Sequence, residues 1–155
     1  MSQPDATTRK PHAVIGCIGG DSHVVGVKIL GEMLRQAGFE VAILGAMVPP
    51  EDFVNAAVET NADAILVSSL SGNAEFYCRG LREMCEEAGL SDVLLYVGGN
   101  ISMGPVPWEQ IEEVFRKLRF DRAFPPQSKP DLVIRLLNED IARKRAAAAA
   151  APSAA

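Results

Sequence analysis

Short apolar runs alternate along this chain with longer stretches in which apolar residues recur every three or four positions. The runs over residues 13–18, 40–44, 64–67 and 93–97 are nearly unbroken. That pattern predicts strands buried on both faces of a parallel sheet. Between the runs, Val27, Leu30, Leu34 and Ala37 share one helical face, as do Phe53, Ala56 and Ala57. The same spacing links Cys78, Leu81, Cys85 and Ala88, then Trp108, Ile111, Phe115 and Leu118, then Val133, Leu136 and Leu137. These faces predict helices over 27–37, 51–61, 74–88, 108–118 and 130–145. Gly38 and Gly89 stand where the first and third helices should stop, and Pro50 suits the first turn of the second. A short fifth strand over 122–124 precedes Pro125 and Pro126.

Five strand–helix alternations predict an α/β fold with one parallel sheet and helices on both faces. The natural strand order is the flavodoxin-like (Rossmann-like) 2-1-3-4-5. In that order the chain reverses direction between strands one and three. The loops after strands one, three and four then face one crevice, where such sheets bind ligands. These loops are Gly19-Gly20-Asp21-Ser22-His23-Val24-Val25-Gly26, Ser68-Ser69-Leu70-Ser71-Gly72 and Gly98-Gly99-Asn100-Ile101-Ser102-Met103-Gly104. They are rich in Gly and Ser and carry almost no charge beyond Asp21, so they should leave an open slot lined by hydroxyls and backbone N–H groups.

The first loop carries one of only two histidines in the chain. His23 follows Asp21 by two residues, the spacing for a carboxylate that accepts one ring N–H and raises the basicity of the other nitrogen. One imidazole is too few for a bare zinc ion, which takes three or four protein ligands. It suffices where a macrocycle supplies the rest, leaving haem or a corrin. The plain alternative is a surface loop whose Asp21 caps the next helix.

Composition narrows the field. At 155 residues, 48% hydrophobic and 23% charged, the chain reads as one globular domain. A net charge of -5 offers no basic surface for nucleic acid. No apolar stretch approaches the roughly 20 residues needed to span a bilayer, and residues 1–11 form a polar leader without the apolar core of a signal peptide. Three cysteines without a C-x-x-C pair fit a reducing cytoplasm, with Cys78 and Cys85 as core filler. The alanine-rich residues 146–155 read as a disordered tail or as fraying off the last helix, leaving 12–145 as the functional domain. Other tenants of the fold lack their marks: there is no G-x-G-x-x-G, no aspartate at the end of strand three, and no G-x-S-x-G.

Together these residues resemble the cobalamin-binding domains that hold cobalt through a histidine. The three parts of that signature, D-x-H-x-x-G, S-x-L and G-G, stand here at Asp21–Gly26, Ser68–Leu70 and Gly98–Gly99. Residues 27–67 and 71–97 separate them, gaps that match the family spacing. Over residues 14–135 the chain is similar to the small-subunit family of glutamate mutase (methylaspartate mutase). Corrinoid methyl-transfer proteins carry a helical bundle before this domain and acyl-CoA mutases fuse it to a barrel; neither segment is present in this sequence. The resemblance implies adenosylcobalamin as cofactor, with His23 as the axial cobalt ligand and Asp21 as its orienter. Gly20, Asp21, Ser22, His23, Val24 and Gly26 would meet the lower face of the corrin. Ser68, Ser69, Leu70, Gly72, Gly98, Gly99, Asn100, Ile101, Ser102, Met103 and Gly104 would line the channel for the nucleotide tail. The resemblance further implies an isomerase that converts L-glutamate to threo-3-methylaspartate by radical chemistry. The crevice shows no acid–base pair and no arginine clamp for an amino acid, so the substrate site would belong to a large barrel subunit, two copies of each subunit making the enzyme. A cobalamin carrier or sensor, or the small subunit of a mutase acting on another substrate, remain the alternatives.

Overall fold

The structure is a computed structural model, and it describes residues 9–20, 22–70, 72–101 and 104–150. Asp21, Ser102 and Met103, together with most of the leader and the last residues of the tail, lie outside the described residues. Five strands, β1 (His12–Ile18), β2 (Glu40–Val48), β3 (Ala64–Ser69), β4 (Leu94–Gly99) and β5 (Arg122–Ala123), form one parallel sheet in the order 2-1-3-4-5. The helices are α1 (Val25–Gln36), α2 (Pro50–Thr60), α3 (Ala74–Cys78), α4 (Leu81–Glu87), α5 (Trp108–Lys117) and α6 (Pro130–Ala150). The predicted fold class and strand order are those observed.

Side chains alternate across each strand and fill two separate cores. Val14, Ile18, Ile65, Val67, Leu95 and Val97 meet α2, α3, α4 and α5, with Phe53, Cys78, Leu81, Cys85 and Phe115 buried among them. Ala13, Ile15, Cys17, Leu66 and Tyr96 meet α1 and α6 through Val27, Leu34, Val133, Leu137 and Ile141. Burial on both faces explains the unbroken apolar runs. Cys78 and Cys85 are fully buried free thiols, and burial pushes the Cys78 thiol up to about 12, as befits core filler.

Three expected boundaries are corrected. The predicted third helix is two, because Gly80 adopts a left-handed conformation (φ +81°) that ends one helical segment and starts the next. Strand β2 does not stop at Leu44. It runs on through a bulged register, with Gly45 and Met47 at positive φ, to pair Val48 with Ile18. Helix α6 continues past Arg145 to Ala150, because alanine has the highest helix propensity of any residue. Residues 9–11, read as leader, are tied to the sheet. Arg9 and Arg145 both reach the Asp63 carboxylate at 3.3 Å, the His12 N–H donates to the same oxygen at 2.8 Å, and the Glu40 N–H donates to the Pro11 carbonyl.

One buried ionic cluster holds α6 to the sheet. Asp140, only 7% exposed, accepts two hydrogen bonds from the Arg122 guanidinium at 2.7 and 3.0 Å and one from the Tyr96 hydroxyl. Arg143 adds a second cation at 3.2 Å. Burial alone would raise the Asp140 carboxyl; the bonds from Arg122 and Tyr96 outweigh it and hold the group below the usual carboxylate range. A lowered folded-state pKa contributes stability above the unfolded value of roughly 4, and that contribution is lost as pH falls through the folded value. Asp140→Ala should cost about 1–3 kcal/mol in denaturant unfolding at neutral pH, since it removes the partner of the buried Tyr96 hydroxyl and of the half-buried Arg122 guanidinium. Asp140→Asn should flatten the acid limb of the stability profile. An acid limb parallel to that of the parent would show that this carboxylate is not a principal source of acid sensitivity.

Candidate functional site

At the carboxyl edge of the sheet the α1/α6 face is not filled. A cavity of about 310 Å³ lies over the ends of β1, β3 and β4. Its floor is Ile15, Leu66 and Tyr96, with Ser68, Gly98 and Gly99 where the strands end. Gly26, Val27, Ile29 and Leu30 of α1 make one wall, and Phe124, Pro125, Gln127, Ser128, Pro130 and Val133 make the other. His23 stands at the mouth, exposed to solvent. Its backbone carbonyl accepts a hydrogen bond from the buried Cys17 thiol at 3.2 Å, which ties the loop to the sheet below it.

Two adjacent glycines shape the floor in different ways. Gly98 shares the cavity face with Ser68 and Tyr96, and an added Cβ would meet only the Phe124 Cβ, at an ordinary 3.6 Å. Its missing side chain is therefore empty cavity. Gly99 has φ +101°, and a Cβ there would lie 2.4 Å from the Ser69 carbonyl oxygen. Position 99 needs glycine for the backbone itself.

Of the sequence-predicted residues, His23, Gly26, Ser68, Leu70, Gly98 and Gly99 line this one cavity. The pleat explains the second loop segment: Ser68 and Leu70 take the cavity side. Ser69, 1% exposed, faces the opposite way, its hydroxyl buried with no hydrogen-bond partner among the described residues. Gly72 and Ile101 line a separate groove with Phe76 and Val106, and the Gly72 N–H donates to the Asn100 carbonyl at 3.2 Å, which ties the second and third loops together. Gly20 and Ser22 precede His23 on the first loop, Val24 packs against the α1/α6 core, and Gly104 forms a turn with Val106. Sequence reasoning missed the whole second wall, residues 124–133. The signal was present: with β5 beside β4, the loop after β5 must face the same edge, and Pro125-Pro126 marks it.

The donor chemistry is specific. None of the described residues lining the cavity is Asp, Glu, Lys or Arg. Among the described residues no three His, Cys, Asp or Glu side chains gather to hold a bare metal ion. A corrin brings its own equatorial donors, so a single imidazole at the mouth of a slot with glycine and serine at its floor fits it.

Comparisons with known proteins agree. The family model described as "B12 binding domain" matches residues 11–121. The glutamate mutase sigma subunit of Clostridium tetani is 50% identical over 132 residues, covering 85% of this chain and 96% of that one. This chain belongs to the glutamate mutase sigma subunit family. The corresponding subunit of Carboxydothermus hydrogenoformans is also 50% identical, over 86% of this chain and 97% of its own, and that of Escherichia coli O157:H7 is 44% identical over 86% and 89%. Among solved structures, a cobalamin-binding protein from Desulfitobacterium hafniense superposes with a TM-score of 0.69 at 23% identity, over 85% of this chain and 60% of that one. The monomethylamine corrinoid protein of Methanosarcina barkeri gives 0.65 at 22%, over 86% and 59%. At these identities the likeness is one of fold.

The two glycines make a contrasting pair of variants. Gly98→Val should fold with stability within about 1 kcal/mol of the parent, since a β-branched residue suits a strand, yet its side chain fills the cavity and should abolish cobalamin binding. Gly99→Ala should cost about 2–3 kcal/mol of stability through backbone strain and the clash with Ser69. Thermal unfolding and an absorbance titration with hydroxocobalamin read both. Normal cobalamin binding by Gly98→Val would remove the cofactor tail from this cavity.

Proposed function

We propose that this chain is the cobalamin-binding subunit of an adenosylcobalamin-dependent glutamate mutase, which rearranges L-glutamate to threo-3-methylaspartate. The observation that carries the reading is the uncharged slot between α1 and the start of α6, with His23 at its mouth. His23 would hold the cobalt through its imidazole. Ser68, Ser128 and Gln127 offer hydrogen bonds within a slot otherwise walled by apolar side chains, and Gly98 leaves the depth a flat nucleotide base requires. When bound, the cofactor supplies a homolytically labile cobalt–carbon bond, the source of the radical chemistry. The chain itself binds, orients and shields that group. Asp21, two residues before His23 in sequence, is assigned as the acceptor of the other ring N–H.

An α-amino dicarboxylic acid needs charged partners, and the described lining residues have none, so its binding belongs to a second, larger subunit. The surface around the cavity mouth supports a docking face. Val25 (69% exposed), Ile29 (52%), Met47, Leu70, Phe76 and Val106 are large apolar side chains open to solvent, all at the carboxyl edge of the sheet. We assign this edge to the large barrel subunit, in an assembly of two copies of each. Among the described residues no helix is long and apolar enough to cross a membrane.

Spin resonance of cob(II)alamin bound to 15N-labelled protein should show coupling to a protein nitrogen, and His23→Gly should remove it. Asp21→Asn should weaken binding more mildly, because the ligand survives while its orienter weakens. Coupling that the label leaves unchanged would show that the cobalt keeps its own base. The purified chain should turn over no glutamate alone and should form methylaspartate when mixed with the large subunit and adenosylcobalamin. Activity without a second polypeptide would overturn the division of labour.

A further inference from the structure

The loop that carries His23 begins at Gly19, and Gly19 lies against an aromatic ring from a different part of the chain. A Cβ at Gly19 would stand 2.4 Å from the Cδ2 and Cε2 carbons of Tyr77 and 2.5 Å from its Cζ. The glycine also has φ +68°, so neither its backbone nor its surroundings admit a side chain. From the other side, the Gly19 N–H donates to the Val48 carbonyl at 2.8 Å. The loop origin is thus held between the end of β2 and one ring face.

The ring is itself held. Helix α3 is a short segment whose Ala74 and Cys78 are fully buried, which fixes Tyr77 at the carboxyl end of β1. Tyr77 packs against the core of the α2–α5 face, and Phe76 meets it edge-on with centroids 5.1 Å apart and planes at 84°. Tyr77 does not line the cavity, so it has no place in the cofactor reading. Yet it touches the loop four residues before His23, and the loop's far end is fixed by the Cys17–His23 carbonyl bond.

We propose that Tyr77 is a positioning residue, a clamp that holds Gly19 so that the loop presents His23 at the cavity mouth. The proposal rests on the reading of His23 as the cobalt ligand. The clamp is steric and acts through the ring; the hydroxyl is dispensable.

The test is a double-mutant cycle on the full chain with Tyr77→Ala and Gly19→Ala, with Tyr77→Phe as the conservative variant. Two readouts are taken: the affinity for hydroxocobalamin by absorbance, and the fraction of bound cob(II)alamin whose spectrum shows a protein nitrogen. Tyr77→Phe should match the parent in both. Tyr77→Ala should bind about tenfold more weakly, the scale of losing a support to a ligand, and should lower the nitrogen-coupled fraction. Gly19→Ala should be impaired at least as much. The double variant should be less impaired than the two single effects combined, because removing the ring makes room for the methyl. Single effects that simply add, or a Tyr77→Ala protein with parental affinity and nitrogen coupling, would overturn the clamp. If Gly19→Ala does not fold, the contrast of Tyr77→Phe with Tyr77→Ala decides, and equal behaviour of the two overturns it. Repeating the cycle on urea unfolding of the cofactor-free protein separates the two readings. Additivity there is evidence against the clamp alone, whereas absence of protein nitrogen coupling in the parent overturns the ligand assignment alone.

Discussion

A parallel sheet with helices on both faces must bury both faces, and here one face is left unfilled at a single place. From the amino edge to the middle of β1, β3 and β4, alternate side chains enter two cores of similar quality. At the carboxyl edge the α2–α5 face stays filled by Ile18, Ile101 and Phe115, while the α1/α6 face changes to Ser68, Gly98 and Gly99. Replacing apolar volume by serine and glycine forgoes burial worth about 25 cal/mol for each Å² of apolar surface. The arrangement is understandable where a ligand restores that contact, and the walls are placed to make it from both sides.

Much of this is legible in the sequence, for a definite reason. Buried parallel strands write themselves as unbroken apolar runs, and the strand order then places the βα loops. That put His23, Ser68, Leu70, Gly98 and Gly99 together without reference to a single contact. What escaped reading depended on pairing or on pleat. Ser69 was assigned to the site with Ser68, but neighbours on a strand face opposite ways, and Ser69 entered the other core. The break at Gly80 was hidden because Cys78, Leu81 and Cys85 keep helical spacing across it. The wall over residues 124–133 escaped although the short fifth strand is legible, because only the loops after strands one, three and four were carried to the crevice.

The second wall raises a question of rigidity that the Asp140 cluster answers. The first residues of α6, Pro130 and Val133, face the cavity, whereas Leu137 and Ile141 are packed on the sheet. Apolar packing of that kind resists separation but tolerates sliding. A carboxylate bonded to Tyr96 on β4 and bidentately to Arg122 on β5 does not slide, because planar two-point geometry fixes direction as well as distance. Tyr96 and Arg122 are also paired across the ladder, so the cluster joins α6 to both strands beneath the cavity. Buried charge is a poor source of net stability; its use here is registry.

The two walls are therefore held by different physics. The α6 side is fixed by charge-assisted bonds in a buried cluster, the α1 side by a glycine-containing loop and by close packing. Gly31 illustrates the latter: a Cβ there would meet the Ile43 Cδ1 at 2.6 Å, so glycine lets the Ile43 side chain pack directly against the α1 backbone. The histidine rides on the α1 side, one loop from a helix whose outer residues Val25 and Ile29 are open to solvent. On the proposed reading of His23 as the cobalt ligand, the donor stands on the wall that close packing holds and faces the wall that Asp140 ties to the sheet.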